Sequence, residues 1–111
     1  MQTLEDMDLA SAAEAMQARA AEAASMLRLL ANERRLAVLC TLIAEGEAPV
    51  GRLAERAGLS QPAMSQHLAK LREDGLVATR RTGTTIYYRI ADPRVTRIMA
   101  TLHDVFCEPG T

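Results

Sequence analysis

Apolar residues recur at helical spacing over most of the chain, with breaks at glycine and proline. The first such stretch opens with Ser11 and, three residues later, Glu14, a spacing typical of a capping box at the start of a helix. The next apolar and small positions step by three or four residues and are Met16, Ala20, Ala23, Leu27 and Leu30. This predicts one continuous helix with a narrow heptad seam. A seam rich in alanine suits close packing within the fold or across a dimer, and we favour the dimer.

A second helix is predicted between Asn32 and Gly46. The side chain of Asn32 can cap its first N–H groups, and Glu33 lies near the positive end of the helix dipole. The apolar stripe of this helix places Cys40 on the core side and consists of Leu36, Leu39, Cys40 and Ile43. After Pro49, a third and shorter helix is indicated by Val50, Leu53, Ala54 and Ala57.

A fourth helix follows the turn at Gly58, a residue that tolerates positive φ. Ser60 can cap it, and Pro62 lies in the first turn, where its missing N–H is not needed, so the helix should begin near Gln61. One face carries the apolar spacing of a buried stripe, at Met64, Leu68 and Leu71. The third and fourth helices, joined by a glycine turn, form a helix-turn-helix unit.

The outer face of this fourth helix is polar and nearly free of acidic residues. It carries Gln61, Ser65, Gln66, His67 and Lys70. Glutamine can match an adenine edge in the major groove, serine can donate or accept, and lysine neutralises phosphate. An ordinary solvated helix face has a similar composition, so the neighbouring elements must decide between the two interpretations.

The segment after Gly75 changes to a period of two, which predicts two strands around a turn at residues 82–85. A β-hairpin directly after a recognition helix is typical of a wing. Near its tip lie residues that could reach phosphates or the minor groove, namely Arg80, Arg81, Thr84 and Thr85. A hairpin without a binding role is the alternative.

A last helix should begin at Asp92 and Pro93 and stop at Pro109 and Gly110. Its apolar side consists of Val95, Ile98, Met99, Leu102, Val105 and Phe106. The first and last helices thus leave two apolar stripes, which a two-fold dimer would bury.

Length and charge refine this picture. With 111 residues the chain suits one compact domain over residues 11–107, after an acidic head over residues 1–10 and before a tail over residues 108–111. The sequence leaves open whether the head is ordered or disordered. Within it we expect a recognition helix at about 61–73, a wing at about 77–90 and a C-terminal helix at about 93–107. The net charge is −1, but residues 1–31 carry −3 and residues 49–91 carry +4. No signal peptide or membrane span is evident, so we expect a cytoplasmic protein.

Three segments resemble ArsR-type winged-helix repressors over roughly residues 25–107: LLANERRLAVLCTL, LAERAGLSQPAMSQHLAKLREDGLV and RRTGTTIYYRI. The resemblance implies a mainly α fold with a small β-hairpin, whose N- and C-terminal helices form the dimer interface. It also implies a homodimeric repressor that leaves double-stranded operator DNA when an inducer binds or modifies it. In this scheme bases are read by Gln61, Ser65, Gln66 and His67, whereas phosphate and wing contacts come from Ser60, Lys70, Arg80, Arg81 and Thr84.

The metal ligands of that family are missing at the matching positions. The Cys-x-Cys pair of arsenic and cadmium sensors is replaced by Ala48, Pro49, Val50 and Gly51. The zinc ligands of the last helix correspond to Asp92, Arg94, Val105 and Glu108, and neither arginine nor valine ligates zinc. His103 and Asp104 lie nearby, but a lone histidine on a helix is more often solvated or part of the core. We therefore expect no metal and no other cofactor.

The two cysteines, Cys40 and Cys107, instead resemble the thiol pair of the sulfide-responsive branch typified by SqrR and BigR. That resemblance implies a sensor of persulfide or polysulfide in which sulfur bridges the two residues. A thiolate can attack sulfane sulfur without metal or flavin. Cys40 could also be only a small buried apolar residue.

Other functions remain open at this stage. A thiol oxidoreductase is disfavoured because CxxC and a βαβ pattern are both absent, so we do not expect an enzyme. An interaction module that has lost DNA binding, and a repressor that responds to peroxide or a metal, are the remaining alternatives.

Overall fold

The computed structural model describes residues 8–107, which contain six helices and three strands. Their order is α1 (Leu9–Ala18), α2 (Ala20–Leu30), α3 (Glu33–Glu45), β1 (Ala48–Pro49), α4 (Val50–Ala57), α5 (Gln61–Glu73), β2 (Val77–Thr82), β3 (Thr85–Ile90) and α6 (Pro93–Phe106). The predicted fold class, mainly α with a small β-hairpin, is confirmed. Residues 1–7 of the predicted head, the predicted helix stop at Pro109 and Gly110, and the predicted tail lie outside the described residues.

The chain divides into two compact units, Met1–Ala31 and Asn32–Thr111. In the first unit the prediction of one helix capped by Ser11 is wrong. Asp8 is the cap and accepts a hydrogen bond from the N–H of Ala10 at 3.1 Å, while the Ser11 hydroxyl donates to the Asp8 carboxylate at 2.9 Å. The helix is interrupted at Arg19, whose backbone has φ −112° and ψ 10°, so the predicted seam crosses a break.

In the second unit, side chains from all four helices form the buried core. Those exposed by less than 2% include Leu39 of α3, Leu53 of α4, Leu68 of α5 and Val95 of α6. The apolar stripe predicted for α5 is confirmed, because Met64, Leu68 and Leu71 are all fully buried. Packing of this stripe sets which face of α5 turns outward.

The ends of these helices follow the local sequence. Asn32 accepts hydrogen bonds from the N–H groups of Arg34 and Arg35, and Ser60 accepts one from Ala63 at 3.2 Å, as a cap does. Gly58 ends α4 with φ 69°, in the left-handed region that favours glycine. The turn between α4 and α5 is therefore short and defined.

The strands form one antiparallel sheet in the order β1-β3-β2. Thr82 pairs with Thr85, so β2 and β3 are joined by a two-residue turn that contains Gly83. Strand β1 was not predicted. It pairs Ala48 with Tyr88 of β3, and its two residues are too few to show a period.

The prediction that Cys40 lies on the core side is wrong. The buried residues of α3 are Val38, Leu39, Thr41 and Leu42, whereas Cys40 is exposed. The run of apolar residues from Leu36 to Cys40 fits more than one helical stripe, and packing selects the one that excludes Cys40.

No helix within residues 8–107 is long and apolar enough to cross a lipid bilayer.

Candidate nucleic-acid interface and cysteine groove

The exposed face of α5 presents polar side chains opposite its buried stripe. Ser65, Gln66 and Lys70 are exposed, and Lys70 forms an ion pair with Asp74 at 3.2 Å, one helical turn later. Such an exposed i,i+4 pair contributes little to stability, so the ammonium group can exchange this partner for another anion. The side chains of this face can approach an edge or a phosphate of a nucleic acid.

Two residues at the start of α5 also have structural partners. The hydroxyl of Ser60 acts as the helix cap, and its O–H remains able to donate. The side chain of Gln61 lies against the first turn of α4, because a Cβ added to Gly51 would come within 3.2 Å of Gln61 Nε2. Gly51 thus permits the close approach of the side chain that leads the recognition helix.

His67 occupies a different position from the other predicted base readers. It flanks the buried stripe of α5, is half-buried, and accepts a hydrogen bond at Nδ1 from Nε–H of Arg35 at 3.2 Å. Burial lowers the pKa of His67, and the positive charges of Arg35 and Arg34 lower it further. Burial and the two arginines therefore favour the neutral form of the imidazole.

In the wing, Arg80 is paired within the fold. Its Nε–H donates to Glu47 at 3.2 Å, and its guanidinium lies 4.8 Å from the ring centre of Tyr87. The hydrogen bond from Arg80 lowers the pKa of the Glu47 carboxyl. A phosphate would have to compete with Glu47 for this arginine.

Arg81 and Thr84 lie closer to the tip of the wing. Both are exposed, and Nε–H of Arg81 donates to the carbonyl of Gly83 at 3.0 Å. This bond holds the arginine against the turn while its remaining N–H groups can donate outward. Arg81 is thus better placed than Arg80 to contact a phosphate.

Cys40 lines a groove between α3 and α6. The groove has a volume of about 420 Å³, and its walls are Cys40 and Ile43 from α3 with Thr96, Met99, Ala100, His103 and Asp104 from α6. Small-molecule sites in proteins usually measure about 300–1,000 Å³. The exposed thiol is therefore accessible to a small reagent that enters the groove.

Cys107 caps the end of α6, where its N–H donates to the carbonyl of His103 at 2.9 Å. Residues three or four apart share a helix face, so the stripe Thr96, Ala100 and His103 leads along the groove toward Cys107. Both cysteines are free and exposed. Among residues 8–107, no three His, Cys, Asp or Glu side chains are grouped closely enough to hold a metal ion.

Sequence reasoning missed Arg35 and Glu47. Arg35 meets His67 across 32 positions of sequence, and Glu47 meets Arg80 across 33. Neither pairing has a local signal, because each depends on how separate elements pack. The double arginine after the Asn32 cap could have been noticed, but not its partner.

Residues 32–79 match the sequence profile of the family described as bacterial regulatory protein, arsR family. The chain is 44% identical over 93 residues to the transcriptional activator HlyU of Vibrio cholerae, a match that covers 84% of this chain and 85% of HlyU. It is also 44% identical over 95 residues to the biofilm growth-associated repressor of Agrobacterium fabrum, which covers 86% of this chain and 80% of that protein.

The fold is similar to solved structures as well. The crystal structure of the transcriptional repressor BigR from Xylella fastidiosa superimposes with a TM-score of 0.80 at 41% identity, covering 86% of this chain and 96% of BigR. These relatives are transcriptional regulators and not enzymes.

Proposed function

Because the chain belongs to the ArsR family of bacterial regulatory proteins, we propose that it is a homodimeric repressor that leaves operator DNA when sulfur bridges Cys40 and Cys107. The relatives include a named activator and a named repressor, so the repressor role is part of the proposal. The observation that carries the sensing role is the groove, in which the exposed Cys40 of α3 faces the stripe of α6 that leads to Cys107.

The proposed chemistry needs only a persulfide donor. The Cys40 thiolate attacks the sulfane sulfur of a donor RSSH, which gives a Cys40 persulfide and releases the thiol RSH. A second donor molecule extends the persulfide by one sulfur atom and releases a second RSH. Cys107 then attacks the middle sulfur of that chain and expels hydrogen sulfide, which leaves a trisulfide bridge. All oxidising equivalents come from the donor.

A bridge with inserted sulfur tolerates a wider separation than a disulfide does. A direct disulfide needs Cα atoms within about 7 Å, and each additional sulfur extends the reach. Cys107 lies beyond the groove residues, at the end of α6, which favours the longer bridge. The groove would also admit the organic part of the donor beside Cys40.

The DNA-binding role rests on α5 and the wing. Gln61, Ser65 and Gln66 would read base edges, and His67 would add a donor from the flank of the helix. Phosphate contacts would come from Ser60, Lys70, Arg81 and Thr84, with Arg80 contributing where phosphate displaces Glu47. Family membership supports operator DNA as the partner.

Exposed apolar side chains support the dimer. In α6, Val105 is 67% exposed and Phe106 is 78% exposed, and in α1, Leu9 and Met16 are 65% and 54% exposed. In each of the two units, exposed apolar side chains of this size are typical of an interaction surface. A symmetric dimer would cover them and set the spacing of the two recognition helices, which must be about 34–36 Å apart for successive turns of the groove.

The sensing role is tested by intact mass and operator binding measured on the same samples. We expect treatment with an organic persulfide to add sulfur atoms to the reduced protein, link the two cysteines and lower operator affinity at least about tenfold. Cys40→Ser and Cys107→Ser are the matched controls, and each should keep full affinity after treatment. Equal affinity of treated and reduced wild-type protein would refute the proposal. A direct disulfide formed with peroxide or a disulfide donor, if it lowers operator affinity as much as the persulfide treatment does, would assign the sensor to general oxidants.

The DNA interface is tested by two substitutions with different signatures. Gln66→Ala should weaken operator binding by about 1–3 kcal/mol and relax specificity at one base pair. Arg81→Ala should weaken binding to all sequences alike and reduce the salt dependence. Absence of any salt-dependent DNA binding by the wild-type protein would favour an interaction module instead.

A further inference from the structure

The first turn of α3 is joined to the helix-turn-helix unit by two neighbouring arginines. The guanidinium of Arg34 donates to the carbonyl of Ala57, the last residue of α4. The guanidinium of Arg35 donates through Nε–H to Nδ1 of His67 in α5, at 3.2 Å. One helix turn therefore contacts both helices of the DNA-binding unit.

The contact with Arg35 determines which imidazole nitrogen of His67 carries the proton. Nδ1 can accept a hydrogen bond only when it is unprotonated, so the neutral ring must carry its proton on Nε2. Arg35 thus leaves His67 with a single donor, Nε2–H, on the side of the ring away from α3. A donor in this position can bind a phosphate oxygen or an acceptor on a base edge.

Helix α3 also carries the sensing cysteine. Cys40 follows Arg35 by five residues in an uninterrupted helix, Glu33–Glu45, which corresponds to about 7.5 Å along the axis. A displacement of α3 at Cys40 therefore reaches Arg35 through continuous helical backbone. The hydrogen bond to His67 then connects this movement to the recognition helix.

We propose that Arg35 is a positioning residue whose hydrogen bond to His67 orients the recognition helix and couples it to the helix that carries Cys40. This coupling rests on the proposed function, since it assumes that bridging at Cys40 lowers operator affinity. The orientation of His67 by Arg35 does not depend on that assumption and can be measured in the reduced protein without DNA.

The first experiment is nitrogen NMR of the imidazole rings. The chain has two histidines, so His103, which is exposed, serves as the internal control. We expect the Nε2–H form of His67 in the wild type, with a pKa below that of an exposed histidine. In Arg35→Gln the preference for this form should weaken and the pKa should rise, because the charge of Arg35 is lost while Arg34 remains. Arg35→Lys should preserve part of the shift.

An Nδ1–H form of His67 in the wild type, or a His67 signal unchanged by Arg35→Gln, would overturn the proposal. Neither result would bear on sulfur sensing, because these samples are not treated with persulfide. Circular dichroism of each variant establishes that it is folded before the spectra are compared.

The second experiment measures the coupling as the ratio of operator Kd in the bridged form to Kd in the reduced form. We expect Arg35→Gln to lower this ratio about fivefold or more, and the double variant with His67→Gln to lower it no further. Arg28→Gln is the matched control, since Arg28 of α2 bonds to Ser25 within its own helix, and it should keep the wild-type ratio. An Arg35→Gln ratio equal to the wild-type ratio would overturn the coupling. A wild-type ratio of one would refute both the proposed function and the coupling, but the NMR result on His67 would remain valid.

Discussion

Gly58, in the turn between α4 and α5, has a left-handed backbone, from which we predict the effect of replacing it with alanine. This residue has φ 69°, and a Cβ added to it would lie 3.4 Å from Nη1 of Arg34, which is ordinary van der Waals contact. Gly58→Ala therefore introduces backbone strain with little steric clash. The cost should come from the left-handed backbone alone.

The expected change in the free energy of unfolding of Gly58→Ala is the difference between two opposing contributions. Holding an alanine in the left-handed region costs about 1–2 kcal/mol. Alanine has less conformational freedom than glycine in the unfolded chain, which raises the free energy of unfolding by about 0.4–1 kcal/mol. We expect the free energy of unfolding to fall by about 1 kcal/mol, which moves the urea midpoint by about 0.5 M at an m-value of about 2 kcal/mol/M.

Urea denaturation followed by circular dichroism measures this change. Gly75→Ala is the matched control, because Gly75 has φ 77° and an added Cβ would meet no atom of residues 8–107 within 4 Å. The two variants should lose similar stability, and Gly58→Asn should lose less because asparagine tolerates this backbone region better than alanine. A loss below about 0.3 kcal/mol in Gly58→Ala would refute the strain argument, and a loss far above that of Gly75→Ala would show that the contact with Arg34 dominates.

Two further predictions concern a helix cap and pH. Asp92 caps α6 by accepting a hydrogen bond from the N–H of Arg94, so Asp92→Ala should lower the free energy of unfolding by about 1 kcal/mol. Asp92→Asn should lower it less in the same denaturation assay, because asparagine also caps helices. The pKa of His67 is lower in the folded protein than its ordinary value of about 6.5, so the unfolded state binds the proton more readily and stability should fall as pH drops below about 6.5. His67→Gln should flatten this part of the stability curve measured in urea, and a wild-type curve that is already flat there would contradict the argument.

Features that depend on a few neighbouring residues could be predicted from the sequence. Asn32 and Ser60 were predicted to cap their helices, and both accept the expected N–H groups. The glycine turn at Gly58 and the alternation that indicates the hairpin are local in the same sense. Each signal lies within about one helical turn or one strand, where backbone geometry alone decides the outcome.

The break at Arg19 could not be predicted, because it interrupts a sequence with regular helical spacing and no proline or glycine. Features that depend on packing between distant segments could not be predicted either. Strand β1 exists only because β3 is available to pair with it. Arg80 was predicted to contact phosphate, but its pairing with Glu47 could be seen only once the sheet brought the two together.

Cys40 shows most clearly where sequence reasoning stops. The same apolar run that identifies α3 as a helix also allowed Cys40 to be placed in the core, and the structure places it at an exposed groove instead. This difference matters chemically, because a buried thiol in apolar surroundings is inert whereas an accessible one can attack a sulfur donor. The exposure of the Cys40 thiol therefore supports the proposed sensing role, which burial of this thiol would have opposed. The resemblance to thiol sensors and the exposure of the thiol are independent observations that support the same proposal.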